Sequence, residues 1–204
     1  MSLFDPTPAL EAIPMDDAQV RFMHAFYRPP LSGELMRRLM AETQWKQETI
    51  TLWGKDYLQP RLSAWYGDAG TGYTYSGVVL LPHPWTDTLL AIKGDIERAS
   101  GHCFNSVLLN LYRNEQDSVG WHSDAEPELG TMPVIASLSL GQTRTFRLRH
   151  KSKKECKPVA IESTDGSLLL MEGSTQRFWQ HTIAKERKAC GPRINLTFRT
   201  ILKP

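Results

Sequence analysis

Cysteine is scarce: Cys103, Cys156 and Cys190 are three, widely separated, in 204 residues. No C-x-x-C pair occurs, so the spacing speaks against a thiolate zinc site, a redox dithiol or a disulfide framework, and the three read as structural thiols. Long apolar runs are lacking too. The longest, Val78-Val79-Leu80-Leu81 and residues 168–171, fall far short of the about 20 that cross a bilayer, which excludes a membrane partner. No lysine-led apolar leader opens the chain, and the protein is read as cytoplasmic. Charge of one sign is also in short supply, since 24 Lys and Arg against 22 Asp and Glu leave only +2, too little to dictate a nucleic-acid partner. Repeats, heptads and low-complexity tracts are absent.

What is present fits one globular domain, with 41% hydrophobic and 23% charged residues supplying a sizeable core. Residues 1–18, with Pro6, Pro8 and Pro14 among Asp5, Glu11, Asp16 and Asp17, resist helix and sheet pairing and are expected to form a flexible, surface-draped arm before a single domain over 19–204. A helix is predicted over 32–42, with Ser32 as N-cap and Leu35, Leu39 and Met40 on one face, and another over 84–99, ended by Gly101. Between them, 47–58 reads as a hairpin with Ile50 and Leu52 alternating and Gly54 near its turn, and 73–81 reads as a strand. From 104 onward the pattern is β, with short strands at 104–113, 134–140, 143–149, 158–162, 167–171, 180–184 and 193–201. The fold class is therefore mainly β with flanking α helices, a sandwich or jelly roll with the helices outside one sheet.

Within Trp121-His122-Ser123-Asp124, an imidazole and a carboxylate stand at i and i+2, on one face of an extended chain. With His181 from a later strand they could form a two-His, one-carboxylate iron site that leaves positions open for co-substrate and oxygen. H-x-D alone is a weak signal, because a buried, hydrogen-bonded His is the commoner reason for such a residue. Arg193-Ile194-Asn195-Leu196-Thr197-Phe198-Arg199 is more informative. Alternation puts Arg193, Asn195, Thr197 and Arg199 on one face, where two inward arginines need an anion such as a dicarboxylate; otherwise the strand is an edge with its arginines in water. Leu108, Asn110 and Tyr112 likewise share a face, and the last two could donate to the same oxygens. The basic residues Arg144, Arg147, Arg149, Lys151, Lys153, Lys154 and Lys157, opposed only by Glu155, form either a solvated loop or a phosphate-contacting surface.

The stretches Asn105-Ser106-Val107-Leu108-Leu109-Asn110-Leu111-Tyr112-Arg113-Asn114, Trp121-His122-Ser123-Asp124-Ala125-Glu126, Ile135-Ala136-Ser137-Leu138-Ser139-Leu140-Gly141 and Pro192-Arg193-Ile194-Asn195-Leu196-Thr197-Phe198-Arg199 resemble the AlkB family of iron(II)/2-oxoglutarate dioxygenases, nearest its human DNA-repair branch. The resemblance runs from about residue 45 to the C-terminus. It implies a double-stranded β-helix, the jelly roll of the 2-oxoglutarate dioxygenases, with its core over about 104–204 and a nucleotide-recognition part over about 45–80. It further implies His122, Asp124 and His181 as ligands of Fe(2+), Arg193 as partner of the distal carboxylate of 2-oxoglutarate, and Asn110, Tyr112, Asn195 and Arg199 as other co-substrate contacts. The implied reaction uses O2 to oxidise a methyl group on a base nitrogen, as in 1-methyladenine or 3-methylcytosine, releasing succinate and formaldehyde. Its substrate is methylated single- or double-stranded DNA, or RNA, and the protein is a monomer.

A base must be unstacked to be reached and is then held by stacking and edge hydrogen bonds. The resemblance places Tyr75 as the stacking ring, Tyr73, Ser76 and Arg61 as pocket neighbours, and Glu126 as acceptor from an exocyclic amine. The tyrosines could instead pack in the core. Trp53 stands where duplex-acting relatives carry an apolar finger, or else packs on Tyr57. Two other readings stay open: the same oxygenase acting on tRNA, protein or a small molecule, and a catalytically silent nucleic-acid-binding module.

Overall fold

The computed structural model describes residues 9–202 apart from residues 53, 72, 76 and 77, and only the backbone of 52, 73–75 and 78–80. Two antiparallel sheets face each other. In chain order the strands are β1 (Glu11–Ile13), β2 (Gln19–Met23), β3 (Thr49–Leu52), β4 (Lys55–Leu58), β5 (Leu62–Gly67), β6 (Tyr73–Tyr75), β7 (Val78–Leu80), β8 (Ser106–Tyr112), β9 (Val119–His122), β10 (Ile135–Gly141), β11 (Arg144–His150), β12 (Val159–Ser163), β13 (Leu168–Glu172), β14 (Trp179–Ile183) and β15 (Arg193–Arg199). The major sheet runs β1-β2-β13-β10-β15-β8-β5 and the minor sheet β12-β11-β14-β9, with β3-β4 and β6-β7 as separate hairpins. This is the expected jelly-roll class, mainly β with flanking helices.

The three described α-helices are α1 (Leu31–Glu42), α2 (Asp87–Ser100) and the single turn α3 (Thr175–Phe178), and Pro127–Leu129 forms a 3-10 turn. Leu35 and Leu39 of α1 and Leu89, Ile92 and Ile96 of α2 pack with Leu109, Leu138, Leu196 and Phe198 on the outer face of the major sheet. A second apolar cluster, including Tyr112, Ile135, Phe146, Leu148, Met171, Trp179 and Ile183, fills the space between the sheets. The alternation of β15 divides accordingly: Ile194, Leu196 and Phe198 join the helix-side core. The odd-numbered residues face the minor sheet, and β15 is central, paired with β10 on one side and β8 on the other. Its arginines therefore do not sit on a water-facing edge.

Several sequence expectations need correction. Ser32 is not an N-cap: α1 begins one residue earlier, after Pro30, with no side-chain cap, and the buried Ser32 Oγ instead donates to Asp165 Oδ2 at 2.6 Å. The second helix is shorter at its start than 84–99, because Thr86 caps it by accepting from the Leu89 N–H at 3.2 Å; Gly101 ends it as expected, at φ +77°. Residues 73–81 are two short paired strands rather than one. The arm over 1–18 does pair, since Glu11–Ile13 hydrogen-bonds to Val20–Phe22 and adds an edge strand to the major sheet; its prolines flank that segment and so remove no ladder donor from it. Residues 1–8 lie outside the described residues. The hairpin at 47–58 forms as β3-β4, with Gly54 in its turn at φ +74°.

Candidate metal and co-substrate site

His122 ends β9 and His181 lies on β14, and the two are cross-strand partners beside a register shift that adjusts how the paired side chains are aimed. Their rings meet edge to face with centroids 4.3 Å apart, and Phe146 stacks on the other side of His181 at 5.1 Å. The Gly120 carbonyl lies 2.8 Å from His122 Nδ1 and accepts its proton, leaving Nε2 free as a ligand. His181 Nε2 is 3.9 Å from Asp124 Oδ2. One ligand atom from each of His122, Asp124 and His181 falls within 4.8 Å of the others, a cluster compact enough for one cation. Asp124 Oδ2 is buried and has no hydrogen-bond partner, as a carboxylate oxygen reserved for a metal would be.

The electrostatics agree with that use. Burial, with the neighbouring His122 and Arg199 charges, pushes the His181 imidazole down to about 3, so it is neutral and able to ligate at physiological pH. Burial raises the Asp124 carboxyl, but the Arg199 charge and its hydrogen bond lead the influences that outweigh burial and hold the group below its ordinary range. Arg199 Nη2 donates to Asp124 Oδ1 at 2.7 Å. Arg199 thus braces the carboxylate of the cluster and also lines the cleft, with its Nε buried and without a partner.

Beside the cluster, Arg193 is 1% exposed and lies 5.2 Å from the Tyr112 ring centroid, with Arg144 at 5.7 Å from the same ring. Arg193 Nη2 donates to Ser139 Oγ at 2.8 Å, whereas Nε and Nη1 are buried without partners. Burial pushes this guanidinium down to about 10, so it remains a cation with two idle donors. A carboxylate is the ligand that this donor set fits. Arg193 itself lies behind Tyr112, whereas Asn110 lines the cleft beside the cluster and accepts from Arg61 Nε at 2.8 Å through Oδ1, leaving its NH2 as the donor side. Asn195, expected among the co-substrate contacts, lines the cleft, and its Nδ2 donates to Ser137 Oγ and Leu138 O at 2.8 and 2.9 Å. Arg61, Asn110, Tyr112, His122, Asp124, His181, Asn195 and Arg199 all line one cleft.

Glu126 lies in an adjoining recess with Trp65, Ser106 and Arg199, not in the cleft itself. Burial and the Asp124 charge raise its carboxyl, and Oε2 is buried without a partner. Trp53 and Ser76 lie outside the described residues, as do the side chains of Tyr73 and Tyr75. The basic run divides in two. Arg144 is fully buried, donating to the carbonyls of Asn114, Asp117 and Ala184, and is no phosphate contact. Arg147, Arg149, Lys151, Lys153, Lys154 and Lys157 are exposed, with Arg149 4.2 Å over the Trp121 ring. Sequence reasoning missed Ser137 and Ser139, which hold Asn195 and Arg193; polar residues at alternate positions of the apolar Ile135–Gly141 were the available signal.

A family model described as the 2OG-Fe(II) oxygenase superfamily matches residues 19–199. The alpha-ketoglutarate-dependent dioxygenase alkB homolog 3 of Homo sapiens is 49% identical over 175 residues, 82% of this chain and 60% of the relative. DNA oxidative demethylase ALKBH2 of Homo sapiens is 40% identical over 159 residues, 75% of this chain and 61% of the relative. The chain thus spans about three fifths of the length of these curated relatives. Among solved structures, "The structure of OsALKBH1" matches with a TM-score of 0.66 at 17% identity, covering 94% of this chain and 99% of that one, a likeness of fold.

Proposed function

Because the chain belongs to the 2OG-Fe(II) oxygenase superfamily and, within it, to the AlkB family, we propose that it is an iron(II)/2-oxoglutarate-dependent dioxygenase that removes N-methyl groups from nucleobases such as 1-methyladenine and 3-methylcytosine in DNA or RNA. The observation that carries the reading is the His122, Asp124 and His181 cluster beside a buried arginine with two unpartnered donors. The names of two relatives, a dioxygenase dependent on alpha-ketoglutarate and a DNA oxidative demethylase, support the substrate class.

Iron(II), with 2-oxoglutarate and O2, supplies oxidation of the methyl group, whose hydroxymethyl product separates into formaldehyde and the unmodified base. His122 Nε2, His181 Nε2 and Asp124 Oδ2 would hold the metal. Arg193 holds one carboxylate of 2-oxoglutarate, and the NH2 of Asn110 with the Tyr112 hydroxyl orients the rest. Arg199 keeps Asp124 ionised and aimed. Glu126 stands as the acceptor for an exocyclic amine, and the exposed basic residues from Arg147 to Lys157 neutralise phosphates. Tyr73, Tyr75, Ser76 and Trp53 complete base recognition in this reading. The protein acts as a monomer in the cytoplasm; its three cysteines are free, and no described helix is long and apolar enough to cross a membrane.

The test is mass spectrometry of a single-stranded oligonucleotide carrying one 3-methylcytosine, incubated with protein, iron(II), ascorbate and oxygen, with and without 2-oxoglutarate. Loss of one methyl group only with 2-oxoglutarate, and not with Asp124→Ala, is the expected result. Succinate without demethylation would mean an oxygenase with another substrate.

A further inference from the structure

Asp124 lies beyond the end of β9 on irregular backbone, where no strand ladder fixes it. It is nevertheless 2% exposed, and a buried N–H requires an acceptor. That acceptor is the side chain of Gln176 in α3: Asp124 N–H donates to Gln176 Oε1 at 2.9 Å, although the residues are 52 apart in sequence. An N–H can only donate, so the amide must turn its oxygen toward Asp124, and its Nε2 then meets Met171 Sδ at 3.3 Å. Gln176 is 1% exposed. Its helix is fastened from the other side, where Lys151 Nζ donates to Gln176 O and the Lys151 N–H to Phe178 O, both at 2.8 Å.

Asp124 is thus gripped twice, by Arg199 at Oδ1 and by Gln176 at the backbone. What remains is Oδ2, the unpartnered oxygen facing His181. A carboxylate restrained at both places presents its free oxygen with little orientational freedom left to lose on coordination.

We propose that Gln176 is a positioning residue for the metal centre, holding the one ligand that no strand holds. The inference rests on the reading of His122, Asp124 and His181 as metal ligands.

The experiment is calorimetric titration of the whole protein with Mn(II) alone, for the unaltered chain, Gln176→Leu and Gln176→Glu. Leucine fills similar volume without an acceptor, whereas glutamate keeps an accepting oxygen in either protonation state. Gln176→Leu is expected to weaken Mn(II) binding by about 10-fold or more and Gln176→Glu by less than about 3-fold, with the metal-free melting temperatures of the two variants alike. Binding by Gln176→Leu within about 2-fold of the unaltered chain, or equal weakening by both variants, overturns the proposal. If Gln176→Leu does not fold, amide hydrogen exchange of the unaltered protein decides: the Asp124 amide is expected among the slow exchangers, and free exchange overturns the role of Gln176. An unaltered chain that binds no Mn(II) refutes the metal site itself, a result distinct from binding that ignores residue 176.

Discussion

Replacing Arg193 by methionine should make the protein more stable without ligand and nearly blind to 2-oxoglutarate. Holding the cation in the interior lowers its pKa from the ordinary value to about 10, which corresponds to a cost of roughly 3 kcal/mol. The sign follows from the direction: a depressed cation costs stability at every pH below its folded value, and the cost is relieved only above about 10. Arg193→Met removes that cost, in which the Tyr112 contact is already contained, but also the bond to Ser139, worth about 1 kcal/mol, so the net gain is about 2 kcal/mol. Ligand binding moves the other way. Two charge-assisted hydrogen bonds of about 1.5 kcal/mol each sum to about 3 kcal/mol, or a loss of about 100-fold in affinity. At a concentration 100 times the original Kd, 2-oxoglutarate adds about 2.7 kcal/mol to the unaltered protein and about 0.4 kcal/mol to the variant. For a chain of this size those figures mean a rise in melting temperature of about 5–10 °C against about 1 °C. The assay is thermal unfolding with Mn(II) present throughout, with and without 2-oxoglutarate. A variant that melts lower without ligand and keeps the full ligand shift would refute the assignment of Arg193 to a carboxylate.

Other perturbations test separate parts of the structure. Asp117 is buried and accepts from Arg113 Nε and Nη2 at 2.7 and 2.9 Å, and these bonds outweigh burial to lower its carboxyl pKa. Asp117→Asn should cost about 2 kcal/mol at pH 7, with the gap to the unaltered protein closing as pH falls below about 4, as read by urea unfolding across pH. Arg149→Ala should weaken binding to an unmodified single-stranded oligonucleotide and lower the salt slope of log K by up to about 0.7, measured by fluorescence anisotropy over a salt series; an unchanged slope would place phosphates elsewhere. Gly166 sits at φ +72°, where an added Cβ would run into the Tyr27 carbonyl oxygen, so Gly166→Ala should destabilise by about 2 kcal/mol or more in chemical denaturation.

Legibility in the sequence followed the strength of local signals. The strands of the core were readable because apolar and polar residues alternate along them, and β15 showed both its faces in seven residues. β1 and β2 escaped notice because the prolines around Glu11–Ile13 outweighed a pairing partner that only the fold supplies. Ser32 has an N-cap side chain yet answers to Asp165, 133 residues away, a tertiary contact that no local rule contains. At the site, the ligand cluster and Arg193 were visible as residue types at the right spacing. The hold of Arg199 on Asp124 and the spent amide of Asn195 were not, because they depend on which polar neighbour each side chain reaches first. Gln176 carried no signal at all: a single glutamine in a four-residue helix has no period to betray it.

The central place of β15 has a bearing on how this site tolerates change. Arg193 and Arg199 stand at the two ends of one strand, about 20 Å apart along an extended backbone, with ladders on both flanks preventing either end from sliding. The strand therefore works as a ruler, setting a buried guanidinium with two unpartnered nitrogens and the brace of the Asp124 carboxylate from a single register. Insertion of one residue between them would turn one arginine toward the helices while the other kept its face, so a single-residue change of length cannot retune the span, whereas a change of side chain can.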